Sequence, residues 1–195
     1  EVRLAVARAA AASLGHPFLL ANQVGGNDDL LFDGRSIIAW PDGSAILAPG
    51  WREGVLITDL DDIDSCEWIG DGNTIKLASG ESPNIGDDDV LEAVVMGLSD
   101  YCRKSGIEKI VLGLSGGIDS AVTSTLCAMT GHKTYVLVMP IHQKEDETDR
   151  GLQHCKSLKK KYSNVEHIKV DLTSTFDHFK SVFPSSFDDK LALAN

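Results

Sequence analysis

The sequence predicts an α/β fold in two parts: a strand-rich first part, and a second part that starts a doubly wound parallel sheet. Three observations predict it. In residues 87–170, amphipathic runs of helix length alternate with short, near-continuous apolar runs, the pattern of βαβ units whose strands are covered on both faces. In residues 1–64 the apolar runs are shorter, and one pair flanks the turn Pro41-Asp42-Gly43, a hairpin signal. From about Asp64 to Asp89 the apolar pattern fades, and Gly, Asp, Asn, Ser and Pro take over. The expected division is therefore 1–64, a linker with some local structure at 65–86, and 87–195.

In chain order, EVRLAVARAAAASLG reads as a helix stopped by Gly15. PFLLANQV reads as a buried strand and GGNDDLLFDG as a polar loop. RSIIAW and SAILAP form the hairpin around Pro41-Asp42-Gly43, and GVLITDLD alternates like a further strand. DDDVLEAVVMGLSDYCRKSG is an amphipathic helix whose acidic first turn and basic last turn both suit its dipole. EKIVLGL, KTYVLVMP and VEHIKVDL read as parallel strands. Between them lie the helices AVTSTLCAMTG and ETDRGLQHCKSLKKKYS. FDDKLALAN reads as a helix that has only begun. With a first residue that is not Met and already helical, this gives the expectation of an interior segment of a longer polypeptide.

Composition excludes several classes. At 43% hydrophobic and 24% charged residues the 195-residue chain should bury a core. No apolar run approaches the ~20 residues of a membrane helix, so no membrane partner is expected. The net charge of −11 argues against a nucleic-acid partner. Cys66, Cys102, Cys127 and Cys155 are far apart, which fits reduced cytoplasmic thiols better than a metal knuckle or a disulfide scaffold. Residues 1–86 hold 13 acids and 5 bases, and residues 87–195 hold 16 and 13. The second part is the better host for a small anion.

The residues richest in chemistry are Gly113-Leu114-Ser115-Gly116-Gly117-Ile118-Asp119-Ser120, between the first parallel strand and its helix. Ligands of such sheets bind outside the carboxyl ends of strands. Paired glycines let main-chain N–H groups approach an anion, and the helix start adds unpaired N–H groups and a positive dipole end. Ser115 and Ser120 add hydroxyls. Asp119 repels phosphate, so its place there makes sense if it holds Mg²⁺. The loop lacks the lysine of a Walker A motif and is too short for the dinucleotide spacing.

SGGIDS at 115–120 resembles the pyrophosphate loop of the ATP pyrophosphatase superfamily, whose domains are doubly wound adenine-nucleotide α-hydrolase folds. Upstream, Asn22-Gln23-x-Gly25, Phe32-Asp33-Gly34-x-Ser36 and the Pro-Asp-Gly hairpin are similar to the C-terminal part of a nitrilase-like α/β sandwich. The two together resemble the glutamine-dependent NAD synthetase family. The resemblance implies an ATP-dependent ligase that amidates deamido-NAD through an adenylated intermediate, with ammonia from glutamine. It implies ATP binding by Gly113 through Ser120, Mg²⁺ at Asp119, deamido-NAD contact at Asn195, a homo-oligomer, and a glutaminase Glu-Lys-Cys triad outside this chain. The fragment alone is expected to be inactive. The alternatives are another ligase of the superfamily, such as a GMP-synthetase-like or tRNA-modifying enzyme; a non-catalytic ATP-binding module; or a nitrilase-like hydrolase with a structural second domain.

Other residues read more plainly. Cys66 and His16 are a packing cysteine and a loop residue rather than a nucleophile and a base. Asp146, Glu147 and Asp149 match a D-E-x-D pattern of the family but also suit a helix start. Val138 and Lys144 stand where the family often has an arginine and a glutamine that contact ATP. Ala194 departs from the family pattern beside Asn195. Lys159-Lys160-Lys161 is a solvated helix end.

Overall fold

The computed structural model describes residues 2–80, 86–143 and 145–182. Contacts divide the chain into two units, one ending at Gly106 and one starting at Ile107. The first contains α1 (Val2–Leu14), β1 (Phe18–Leu20), β2 (Val24–Asn27), β3 (Leu30–Asp33), β4 (Ile37–Ala39), β5 (Ala45–Leu47), β6 (Val55–Asp59), β7 (Asp62–Gly70), β8 (Asn73–Lys76) and α2 (Asp87–Lys104). The second contains β9 (Lys109–Gly113), α3 (Ile118–Met129), β10 (Lys133–Val138), α4 (Glu145–Lys161), β11 (Val165–Lys169) and α5 (Thr173–Val182).

In the first unit, α1 buries Leu4, Ala7 and Ala11, a stripe at helical spacing. The small alanines fit the helix closely against Ile37, Ala39 and Ala45 of the antiparallel sheet β1-β4-β5. Side chains alternate across a strand, so Ile38, Trp40 and Ile46 face the other way. There they pack with Cys66, Leu56, Ile63 and Leu77 of the β6-β7-β8 region. Full burial of a side chain such as Ile46 is worth about 1.5–3 kcal/mol. The β4–β5 hairpin is thus the shared wall of two small cores.

Three stretches differ from the sequence expectation. PFLLANQV, expected as one buried strand, is split: Phe18–Leu20 forms β1 with Leu19 exposed, and Val24 opens β2. GGNDDLLFDG, expected as a polar loop, is the β2–β3 hairpin with Gly25 opposite Phe32 and Gly26 opposite Leu31. Its two leucines lie together on β3, and the glycines and aspartates around them obscure the pair of short strands. The stretch 65–86, expected as a linker, is ordered through residue 76 as most of the β7–β8 hairpin. Asp71 and Gly72 both take positive φ (51° and 74°), the signature of a two-residue hairpin turn. Cys66 and Trp68 supply the buried positions, too few between acids to register as an apolar run.

An ion cluster ties the start of the unit together. Asp33 accepts from Arg3 at 2.6 and 2.7 Å, from Arg35 at 3.0 Å and from the Asn22 amide at 3.2 Å. Burial pulls the Asp33 carboxyl upward, but the two guanidiniums outweigh it and hold the group below its usual range. Asn22 also donates to the Gly34 carbonyl at 2.6 Å, and its own N–H meets Ser36 Oγ at 3.0 Å. This is the physical content of the Asn22…Phe32-Asp33-Gly34-x-Ser36 pattern.

The second unit is a parallel sheet in the order β11-β10-β9, matching the expected strands. Right-handed crossovers in one direction put α3 and α4 on one face. There Ala128, Cys155 and Leu158 pack with Leu114, Val136, Val138 and Val165. Helix α5 follows β11 and falls on TSTFDHFKSV, which the sequence reading left unassigned. The expected helix in FDDKLALAN lies outside the described residues.

Candidate functional site

The carboxyl ends of β9, β10 and β11 share one edge of the second sheet. The Gly113–Ser120 segment sits at that edge. Gly113 is the last residue of β9, and a Cβ there would meet Met139 Cε at 3.2 Å. Leu114 continues the ladder, its N–H donating to the Leu137 carbonyl at 2.8 Å, while its side chain is buried. Its part in the site is therefore to anchor the start of the loop to the sheet. Gly116 takes φ 82°, which glycine alone adopts at no steric cost. Gly117 caps α3 from extended backbone without a side-chain cap, so the amides of the first turn stay available.

The two serines shape the loop. Gly117 N–H donates to Ser115 Oγ at 3.3 Å, and Ser115 N–H donates to Ser120 Oγ at 3.2 Å. The two hydroxyls lie 3.1 Å apart, and Ser120 Oγ–H donates to the Gly117 carbonyl at 3.1 Å. The hydroxyls thus hold the loop's own N–H groups in a curve open to solvent. Asp119 is exposed in the first turn of α3, where Thr123 caps its carbonyl at 2.9 Å. Ile118 is 74% exposed beside it. The expected residues 113–120 are therefore contiguous in space, with main-chain donors, two hydroxyls and one carboxylate.

Beyond β10, His142 takes φ 49° and its ring meets Asp177 of α5 at 2.6 Å. Asp171 caps Thr173 at 2.9 Å, and this N–H holds its carboxyl below the usual range. His142, whose N–H also donates to Thr173 Oγ1 at 3.4 Å, ties the loop after β10 to α5, a link with no local signal in the sequence. Lys144 and Asn195 lie outside the described residues. Asp146 and Glu147 lie on α4, with side chains outside the described set, and Asp149 is exposed. Val138 is a core residue.

Cys66 is fully buried, and burial pushes its thiol up, the opposite of what a nucleophile needs. His16 and Lys159 through Lys161 are exposed. Among the described residues no group of three His, Cys, Asp or Glu side chains could hold a metal by itself. One exposed carboxylate suits Mg²⁺, which takes one or two protein carboxylates and fills its shell with phosphate oxygens and water.

A parallel sheet with a paired-glycine loop leading into a helix, at the carboxyl edge, places the chain among the parallel-sheet α/β proteins. The NAD synthase family model matches residues 90–195, and the carbon-nitrogen hydrolase model matches residues 1–68. The chain belongs to the NAD synthase family. It is 41% identical over 129 residues to the glutamine-dependent NAD(+) synthetase of Rhodobacter capsulatus, covering 66% of this chain and 22% of that protein. It is 34% identical over 166 residues to the glutamine-dependent NAD(+) synthetase of Synechocystis, covering 83% and 28%. The chain thus spans about a quarter of the length of these relatives.

Solved structures agree on the fold. The glutamine-dependent NAD+ synthetase of Acinetobacter baumannii, in complex with ADP, matches with a TM-score of 0.70 at 24% identity, over 96% of this chain and 34% of that one. The NMN synthetase of Francisella tularensis matches with a TM-score of 0.50 at 28% identity, over 56% and 44%. The order of the two matched segments, hydrolase then synthase, is the one expected from the sequence.

Proposed function

We propose that the protein makes NAD from deamido-NAD, with ATP as the activating substrate and glutamine or ammonia as the nitrogen source. Residues 1–64 would be part of the glutaminase, 87–195 part of the synthetase, and 65–86 the segment joining them. The observation that carries the reading is the Gly116-Gly117 turn at the end of β9, inside the NAD synthase match. That family's relatives bear the name of this activity, and one neighbour was solved with ADP.

The chemistry needs a better leaving group than a free carboxylate offers. The nicotinate carboxylate attacks the α-phosphorus of ATP, the bond to the β-phosphate breaks, and pyrophosphate leaves. Ammonia then attacks the acyl carbon, AMP leaves with the bonding electrons, and the nitrogen loses a proton. The main-chain N–H groups of Gly116 and Ile118, with the Ser115 and Ser120 hydroxyls, would grip the departing pyrophosphate as its charge builds. Asp119 would hold Mg²⁺, whose contribution is to neutralise phosphate charge. Asn195 would contact deamido-NAD. We place the protein in the cytoplasm as a homo-oligomer; no described helix is long and apolar enough to cross a membrane.

The test is an assay of the full-length protein with deamido-NAD, ATP and either glutamine or ammonium. NAD, AMP and pyrophosphate in equal amounts are the expected result. Nucleotide bound without release of AMP and pyrophosphate would refute the reading and favour a binding module.

A further inference from the structure

Helix α2 has two allegiances. From Val90 onward it falls in the NAD synthase match. By contact it belongs to the first unit and is seated on β2, within the carbon-nitrogen hydrolase match. Apolar burial holds it only in part, through the half-buried Ala93, Val95, Met96 and Leu98. Cys102 is its one buried residue among those described, while Val90, Val94 and Tyr101 are exposed. A cavity of about 510 Å³, lined in part by Gly25, Trp51, Glu92, Met96 and Asp100, opens beside it.

A polar clamp at each end adds to this. At the first turn, Asp89 accepts from the Arg35 guanidinium and, at 2.9 Å, from the Trp51 indole N–H. Arg35 and Trp51 both take left-handed backbone, φ 52° and 60°, a conformation side chains disfavour. Two such residues converge on one carboxylate, and their donors hold it below its usual range. About three turns on, roughly 16 Å along the axis, the second clamp closes on one residue of β2. Gly26 N–H donates to Asp100 Oδ2 at 2.8 Å, and the Lys104 ammonium donates to the Gly26 carbonyl. Arg103 supports Asp100 at 2.8 Å. Glycines make the approach possible. A Cβ on Gly25 would lie 2.6 Å from Asp100 Oδ2, and a Cβ on Gly97 would lie 3.0 Å from Leu31 Cδ2.

A helix whose seat depends on a few polar contacts at two points, beside an open pocket, has an attachment that single substitutions can weaken. That is the kind of element that carries coupling between sites. Its last turn leads through residues 105–108 into β9, and β9 ends in the Gly113–Ser120 loop. We propose that α2 couples glutamine use to amidation, with Gly26, Gly97, Asp100 and Lys104 as positioning residues that take no part in the chemistry. The inference rests on the reaction proposed above. Its physical content is that the glutaminase segment holds the first helix of the synthetase segment through these contacts.

The experiment uses the full-length enzyme and three readouts: NAD formed with glutamine, NAD formed with ammonium, and glutamate released. Asp100→Ala removes the acceptor of Gly26 N–H. Gly97→Ala favours the helix itself while crowding Leu31, whose Cδ2 would lie 3.0 Å from the new methyl group. Each should lower the glutamine-supported rate by roughly tenfold, within the usual range of coupling between sites. The ammonium-supported rate and glutamate release should each stay within about twofold. Asp100→Asn keeps an acceptor for Gly26 and should restore most of the glutamine-supported rate. Equal loss in all three readouts from folded Gly97→Ala, or no loss in any, overturns the coupling role and leaves the proposed reaction standing. An unmodified enzyme that forms NAD from neither glutamine nor ammonium overturns the reaction, and this inference with it.

Discussion

The two adjacent loop glycines separate a ligand-gripping turn from a merely structural one. Gly116 has φ 82°, whereas Gly117 lies in ordinary backbone, φ −86° and ψ 166°. Alanine at 116 must hold a left-handed conformation, at a cost of about 1–2 kcal/mol. Alanine at 117 meets only Ser115 Oγ, at an ordinary 3.4 Å. Alanine is a poorer helix cap than glycine by about 0.5–1 kcal/mol, and a stiffer unfolded chain returns about 0.4–1 kcal/mol. The two effects nearly cancel, so Gly117→Ala should melt with the unmodified protein and Gly116→Ala below it. Function should invert the order of surprise. If phosphate must approach the loop's main chain closely, the new methyl group at 117 stands in its way and lowers kcat/KM for ATP by at least about tenfold, a loss of roughly 1.4 kcal/mol. Thermal melts and steady-state kinetics on the full-length protein read both. A Gly117→Ala enzyme with normal melting and normal kcat/KM would refute the reasoning, because a plain turn would tolerate that methyl group.

Three further predictions follow from the same structure. Asp119→Ala should abolish NAD synthesis and leave glutamine hydrolysis detectable; equal loss of both from a folded variant would count against its place at the phosphates. Asp33 has a lower pKa folded than unfolded, so its contribution to stability is complete above about pH 4 and disappears as pH falls through the folded value. Melting temperature should therefore drop in acid, and less steeply in Asp33→Asn; parallel curves would contradict the Arg3–Asp33–Arg35 cluster. The four cysteines are buried, and burial raises the Cys66 and Cys155 thiols. Peptide mapping after alkylation should find all four unmodified in native protein and labelled once it is unfolded. Rapid labelling of Cys66 in the native state would reopen its reading as a packing residue.

What the sequence disclosed follows from where the signal lies. The second unit was legible because each strand is a run of adjacent apolar residues and each helix carries its own stripe, so β9, α3, β10, α4 and β11 stand where local pattern puts them. The Gly113–Ser120 segment was legible because its chemistry is contiguous. The first unit hid more. The β2–β3 and β7–β8 hairpins have few buried positions, set among Gly, Asp and Asn. The Asp71-Gly72 pair was the available signal for the second of these. The clamps on α2 were beyond reach because their partners are far apart in sequence, with Gly26 meeting Asp100 and Arg35 meeting Asp89. Periodicity saw only an amphipathic helix. The left-handed backbone of Arg35 and Trp51 has no signature in residue type at all.

The seating of α2 also bears on how the polypeptide can be dissected. A cut made in the gap between the two family matches, residues 69–89, would carry the helix away with the downstream piece. The upstream piece would then keep Arg35 and Trp51 bent toward a missing carboxylate, and a hairpin glycine with neither of its polar groups answered. The natural seam runs after Gly106, past the helix, where the chain changes allegiance in space rather than in ancestry.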